Sequence, residues 1–383
     1  MNLRPLVNEL KRDLIGISTT PEDDSAHLNT AVDWLFQCQD VADNDGCAAT
    51  YNLVLGWEPA YPETTGYIIP TLYEYDKRTS SAEARARAER MATWLLTTQL
   101  DSGAFPAGKI GDETPEPSVF NTGQILLGLA RAYQETEDET FSRALCRGAD
   151  WLVSEQRDGY WQRYVYKNTV HTYTARVGWA LAVAARISGD EGHRRGAARN
   201  LEWVRDEQRE NATFRKCAFV RGKNPFLHTI AYTVRGLIEG GEALNDSKSL
   251  QAGRRTADKL LQLQRTSGPL KGAYDADWNG ASYHCLTGNA QMATVWLRLH
   301  GLTGKERYYR AARRELAFLK TKQRLGGPPE VQGGLKGSHP VWGPYLRMRY
   351  PNWAAKFLAD ALLLSATRGA TASPAKRSYV LIE

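Results

Sequence analysis

Two stretches of the chain carry the same chemical set. HTYTARVGW (171–179) holds His171, Tyr173 and Arg176, and HTIAYTVRG (228–236) holds His228, Tyr232 and Arg235. The arginine follows the histidine by five positions in the first and by seven in the second. Such a set could remove a proton beside a carboxylate. Arginine, an amide or a protonated histidine neutralises the acid, while tyrosine or histidine takes the proton. On a uronic acid that proton sits on C5. Tyrosine acting next as an acid toward the glycosidic oxygen gives β-elimination, and a proton returned to the opposite face gives epimerisation. These residue types leave both outcomes open.

Carboxylates offer a second chemistry. Glu63, Asp275 and Asp277 fall in loops, and two such groups about 5 to 10 Å apart would make a glycoside hydrolase. Trp57, Trp161, Trp278 and Trp342 could stack on sugar rings in either enzyme, or in a glycan-binding protein with no activity. Further polar and aromatic candidates for substrate contact are Tyr61, Tyr67, Asn121, Gln124, Asn224, Tyr283, His284, Asn289, His339, Tyr345, Tyr350 and Asn352.

What could bring residues so far apart together is a repeat. AVDWLFQCQ (31–39), MATWLLTTQ (91–99), GADWLVSEQ (148–156) and NLEWVRDEQ (200–208) share a W-x4-Q pattern, which TADKLLQLQ (256–264) and ELAFLKTKQ (315–323) follow more weakly. The closing glutamines, Gln39, Gln99, Gln156, Gln208, Gln264 and Gln323, are spaced 60, 57, 52, 56 and 59 residues apart. That period fits two helices and their loops. Each W-x4-Q segment closes an amphipathic helix, a Gly-containing loop follows, and then comes a more apolar helix: 64–75, 121–133, 173–187, 229–244, 287–302 and 352–366. A helix apolar on most faces is buried, and one with a single apolar stripe lies outside. The expectation is therefore an all-α (α/α)6 toroid of six helical hairpins, spanning residues 28–370, with an N-terminal lead-in helix (1–27) and a C-terminal tail (371–383). The tryptophans should pack toward the inner layer and the glutamines satisfy free carbonyls at the helix ends. Short strands are expected, if anywhere, near 157–170. The loops that follow the outer helices meet at one mouth, where the candidate residues converge.

The formal charge of +6 comes from lysines and arginines scattered over polar helix faces, with no nucleic-acid motif among them. An acidic polysaccharide or oligosaccharide remains a compatible partner, with no nucleic acid and an open oligomeric state. The five cysteines lack CxxC pairs, and Asp277, His284 and Cys285 do not have the spacing of a zinc site, so neither metal nor cofactor is expected. No apolar run is long enough for a membrane span. The N-terminus has charges where a signal peptide needs an apolar core, so the expected location is cytoplasmic, or periplasmic or secreted had a leader been removed.

GWEPAYPETTGYIIPTL (56–72), SVFNTGQILLGL (118–129), NPFLHTIAYTVRGL (224–237), SYHCLTGNAQMA (282–293) and YPNWAAKFLADALLL (350–364) resemble a family of bacterial toroid proteins from polysaccharide gene clusters, loosely called prenyltransferase- or squalene-cyclase-like. That family is similar to the helical domain of D-glucuronyl C5-epimerases and to toroid polysaccharide lyases. The resemblance implies a site of Tyr, His, Arg and Asn at the rim and an activity on uronic-acid polymers. The β-rich domain that accompanies glucuronyl epimerases has no counterpart here. DADW (275–278) stops one carboxylate short of the DxDD acid of a terpene cyclase.

Overall fold

The computed structural model describes residues 4–111 and 115–366; the expected C-terminal tail lies outside the described residues. Thirteen α-helices are seen among them. The first, α1 (Arg4–Leu14), stands apart, and the other twelve alternate between an outer and an inner layer. The outer helices are α2 (Asp24–Asp40), α4 (Ala82–Thr98), α6 (Glu139–Ser154), α8 (Glu191–Asp206), α10 (Ser247–Ser267) and α12 (Glu306–Lys320). The inner ones are α3 (Pro62–Thr79), α5 (Val119–Thr136), α7 (Ala175–Ser188), α9 (Leu227–Ala243), α11 (Leu286–Thr303) and α13 (Asn352–Ala366). Each inner helix packs on the next, with α13 returning to α3, and this closes an (α/α)6 toroid.

The tight hairpins run from inner to outer helix. Left-handed residues at Ser80, Glu137, Gly189 and Gly304 stop the inner helices, and side chains of Ser81, Asp138 and Asp190 cap the next outer ones. The sixth pair, α13 with α2, has no such turn and joins the two ends of the described chain. The lead-in is shorter than the expected 1–27. α1 ends at Leu14, and the PEDDS cluster starts a helix, because the Asp23 carboxylate accepts the Ala26 N–H and fixes the beginning of α2.

Glycines let the inner helices approach closely. A Cβ on Gly128 would collide with the Gly66 carbonyl, and one on Gly236 with the backbone of Ala175. Pro70, inside α3, has no N–H to offer that same Gly66 carbonyl.

The closing glutamines form a belt around the outer layer. Gln39, Gln99, Gln156, Gln208, Gln264 and Gln323 donate to the carbonyls of Arg87, Ala144, Gly196, Ala252, Ala311 and His27 respectively. Each acceptor lies on the next outer helix, twelve positions ahead of that helix's own glutamine. The tryptophans differ from expectation. Trp34 and Trp94 lie against Gly334 and Gly46 of the mouth loops, where only a bare glycine backbone leaves room for the indole, and the Trp203 Cβ lies against Gly159.

Strands are few and short. β1 (Thr50–Asn52) pairs with β2 (Gly56–Trp57) and with β5 (Arg349–Pro351), while β3 (His284–Cys285) pairs with β4 (Ser338–His339). The stretch 157–170 holds no strand. It has one isolated bridge, Arg157 to Tyr160, and a 3-10 turn at Tyr166–Asn168, with Tyr164, Lys167 and Asn168 at positive φ, a conformation that breaks strand pairing.

α1 anchors the last mouth loop. Its Glu9 lies 3.0 Å from Arg324 Nη1 and 3.3 Å from Lys336 Nζ. Its Asp13 bonds Lys336 and the Val341 N–H and stands 3.2 Å from His339 Nδ1.

Candidate active site

The inner helices begin at one face, and a cavity of about 1060 Å³ opens among those beginnings. Tyr61 and Glu63 enter it from the start of α3, Asn121 and Phe120 from α5, Tyr173 from the turn before α7, and His228 and Tyr232 from α9. Tyr345 comes from the last mouth loop and Trp353 from α13. Residues 162–168 supply one continuous wall, including Arg163 and Lys167. The lining is rich in aromatic rings, which suits the apolar faces of sugars and leaves a few polar groups to orient them.

Glu63 is the polar centre of this surface. It sits in the first turn of α3 and is 8% exposed. Burial pushes its carboxyl up from 4.5 to about 7, against the pull of the Tyr61 hydroxyl and the charge of Arg176. A carboxyl balanced near neutrality can give and take a proton in one cycle.

His228 is the second titratable group. Its Nδ1 lies 2.9 Å from Gln291 Oε1, which makes Nδ1 the protonated nitrogen and leaves Nε2 with its lone pair. Burial pushes the imidazole down to about 3, helped by the Arg176 charge and opposed by the Gln291 bond, so it is neutral near pH 7. The tyrosines behave oppositely. Burial raises Tyr61, Tyr67, Tyr173, Tyr232 and Tyr345, and they stay protonated as hydrogen-bond donors.

Other members of the expected set lie around the cavity. His171 stacks on Tyr173 at 4.6 Å, with Nδ1 and Nε2 facing the carbonyls of Ala218 and Tyr166, and so ties two mouth loops together. Arg176, Arg235 and Gln124 lie deeper on the toroid axis, where Arg176 Nε donates to Gln124 Oε1 at 2.6 Å. Tyr67, with Tyr232, forms the floor between cavity and axis: Tyr67 lines the cavity, and the Arg176 guanidinium lies 4.9 Å from the Tyr232 ring.

The remaining candidates hold loops. Trp57 packs on Trp34 and Tyr51, and the Trp161 indole donates to the Leu152 carbonyl. His284 Nδ1 and Asn289 both meet the Leu270 carbonyl, and Asn352 donates to Ala48 and Thr64. Tyr283 covers Gly272, His339 faces Asp13, and Tyr350 is buried beside Gly334. Trp342 is half-buried and Asn224 exposed, and neither lines the cavity. The carboxylate pair does not assemble. Asp275 accepts from the Asp277 and Asn279 N–H groups of its own turn, Asp277 is exposed, and both lie outside the cavity lining.

Sequence reasoning missed Phe120, Arg163, Lys167, Phe219, Phe226, Gln291 and Trp353. Gln291 had a signal, since it lies near the start of α11, two positions after the candidate Asn289. Among the described residues no group of three or more His, Cys, Asp or Glu side chains is placed to hold a metal ion, and no helix is long and apolar enough to cross a membrane.

No family model and no curated protein matches the chain. Solved structures do. An unsaturated glucuronyl hydrolase from Bacillus sp. GL1, responsible for degradation of glycosaminoglycan, superposes with a TM-score of 0.70 at 16% identity over 91% of this chain and 99% of its own. A heparin-specific unsaturated glucuronyl hydrolase gives 0.69 at 17% identity, over 89% and 96%. The cellobiose 2-epimerase of Bacillus thermoamylovorans B4167 gives 0.67 at 12%, over 93% and 98%. At such identities the likeness is one of fold, and the fold this chain shares with all three is the (α/α)6 toroid.

Proposed function

We propose that the protein is a carbohydrate-active enzyme, a hydrolase of oligosaccharides ending in an unsaturated uronic acid, with Glu63 as its proton-transfer group. The observation that carries this reading is one buried, near-neutral carboxyl, Glu63, in an aromatic cavity whose other described carboxylate, Glu116, is exposed. Hydrolysis of an ordinary glycoside needs two carboxyl groups facing each other across the bond. An unsaturated uronide is an enol ether, and its double bond needs one acid. Glu63 gives its proton to C4, positive charge develops at C5, water adds there, and the Glu63 carboxylate accepts the proton that water releases. The hydrated ring then opens and sheds the next sugar. Arg163 and Lys167 on the rim supply charge for the substrate carboxylate, and tyrosine hydroxyls orient the ring. The names borne by proteins of the same fold, two of them unsaturated glucuronyl hydrolases, agree with this substrate class.

His228 favours a second reading. Its unprotonated Nε2 could remove the C5 proton of a saturated uronate, which would make the protein an epimerase or lyase. One set of experiments separates the two. Unsaturated uronyl disaccharides should lose the ultraviolet absorbance of the C4=C5 bond, and Glu63→Gln should lower the rate by about 10²–10⁴-fold. Unchanged absorbance, together with solvent deuterium entering C5 of saturated uronates, would overturn the hydrolase reading in favour of His228.

A further inference from the structure

Below the floor formed by Tyr67 and Tyr232, the toroid axis holds a small void of about 10 Å³, lined among others by Arg176, Arg235, Lys356 and Asp360. That is room for one water-sized particle. The charges around it do not balance locally. Glu239 is taken by Arg298, whose Nε and Nη2 both lie 3.0 Å from its oxygens, and Glu242 is bonded to the same guanidinium. Asp360 is taken by Lys356 Nζ at 2.5 Å and by the Thr71 hydroxyl at 2.7 Å.

Arg176 has no carboxylate partner, and Arg235 reaches its two only at long range. Arg235 comes no nearer than 3.4 Å to Glu239 and 3.8 Å to Asp360, and its Nε and Nη1 make no hydrogen bond. Arg176 gives Nε to the neutral Gln124, and its Nη1 has no partner at all. Both side chains are more than nine-tenths buried. Four cations, Arg176, Arg235, Arg298 and Lys356, face three carboxylates, Glu239, Glu242 and Asp360, a surplus of one positive charge. A buried guanidinium group without a counter-charge is among the costliest arrangements a core can hold.

We infer that this void is a binding site for one small monovalent anion of the chloride class, held by Arg176, Arg235 and Lys356. The ion supplies the missing charge and accepts the orphan N–H groups. It also lies on the far side of the floor from Glu63, where it screens the Arg176 charge that otherwise favours the ionised carboxylate. Bound anion and protonated Glu63 therefore support each other.

Neither test depends on turnover, so the proposed activity can fail without touching this site. Crystals soaked in sodium bromide should give an anomalous peak between Arg176, Arg235 and Lys356; peaks confined to the surface, with a water density in the void, would overturn the assignment. In solution, sodium chloride should raise Tm to a plateau, and sodium gluconate at equal ionic strength should not, because gluconate is too large for the void. Arg176→Gln should abolish that difference. An equal chloride effect in this variant would place the ion elsewhere and refute the site, and should the variant not fold, the bromide peak in the unaltered protein decides.

Discussion

Glu63 was legible in the sequence as a rim carboxylate at a helix start, but its role was not, because periodicity gives position and not environment. Its neighbours set that role. Folded, it titrates near 7 against an ordinary value of 4.5, and Glu315, buried against Gln264 and the Leu270 N–H, is likewise pushed up to about 7 by burial. A folded state that holds protons which the unfolded chain has lost is favoured at low pH. The contribution of these two groups to stability is full below about 4.5 and is lost as the pH rises through about 7. Glu63→Gln removes the ionisation and should melt higher than the natural protein at about pH 8, with little difference near pH 4. Thermal scans across that range check this, and a Tm difference independent of pH would show that Glu63 is not desolvated. Among the missed residues, Arg163 and Lys167 belong to a wall shaped by left-handed turns at Tyr164 and Lys167. No repeat in the sequence encodes such turns, so the cations that would meet an acidic substrate could not be seen from spacing.

At the scale of the helix the sequence spoke more plainly. Six glutamines at a near-constant period required six equivalent environments, and each indeed donates to a carbonyl of the next outer helix. Their energies should not be equal. Gln323 makes three side-chain bonds, to the carbonyls of His27 and Gly333 and to the His27 ring, whereas Gln156 makes one, to Gly196. Gln323→Ala should therefore cost about 3 kcal/mol and Gln156→Ala about 1 kcal/mol. Denaturant unfolding of the two variants measures both, and equal losses would mean that the belt is not what holds the outer layer. The tryptophans five positions earlier show the limit of such reading. Their recurrence was visible, but their partners are loop glycines in another unit, and a pattern local to one helix does not name what faces it.

Over the whole molecule, the seam between α2 and α13 sets this ring apart from a regular polygon. Five of the six hairpins are made by neighbours in sequence and can form early and locally. The sixth waits for the chain to come round. Contacts across it span nearly the full length of the protein: β1 with β5, Thr64 with Asn352, Tyr67 stacked on Phe357 at 5.6 Å, Thr71 with Asp360. Long loop closure is slow, because its entropy must be lost before its contacts form. In pulse-labelled refolding, amides of α2 and α13 should gain protection after those of α5, α7 and α9, and simultaneous protection would refute this order. The cavity straddles that seam, with Tyr61 and Glu63 on one side and Trp353 on the other. A nascent chain would carry most residues of the site long before it possessed a site, and competence would arrive as a single late event, when the ring locks.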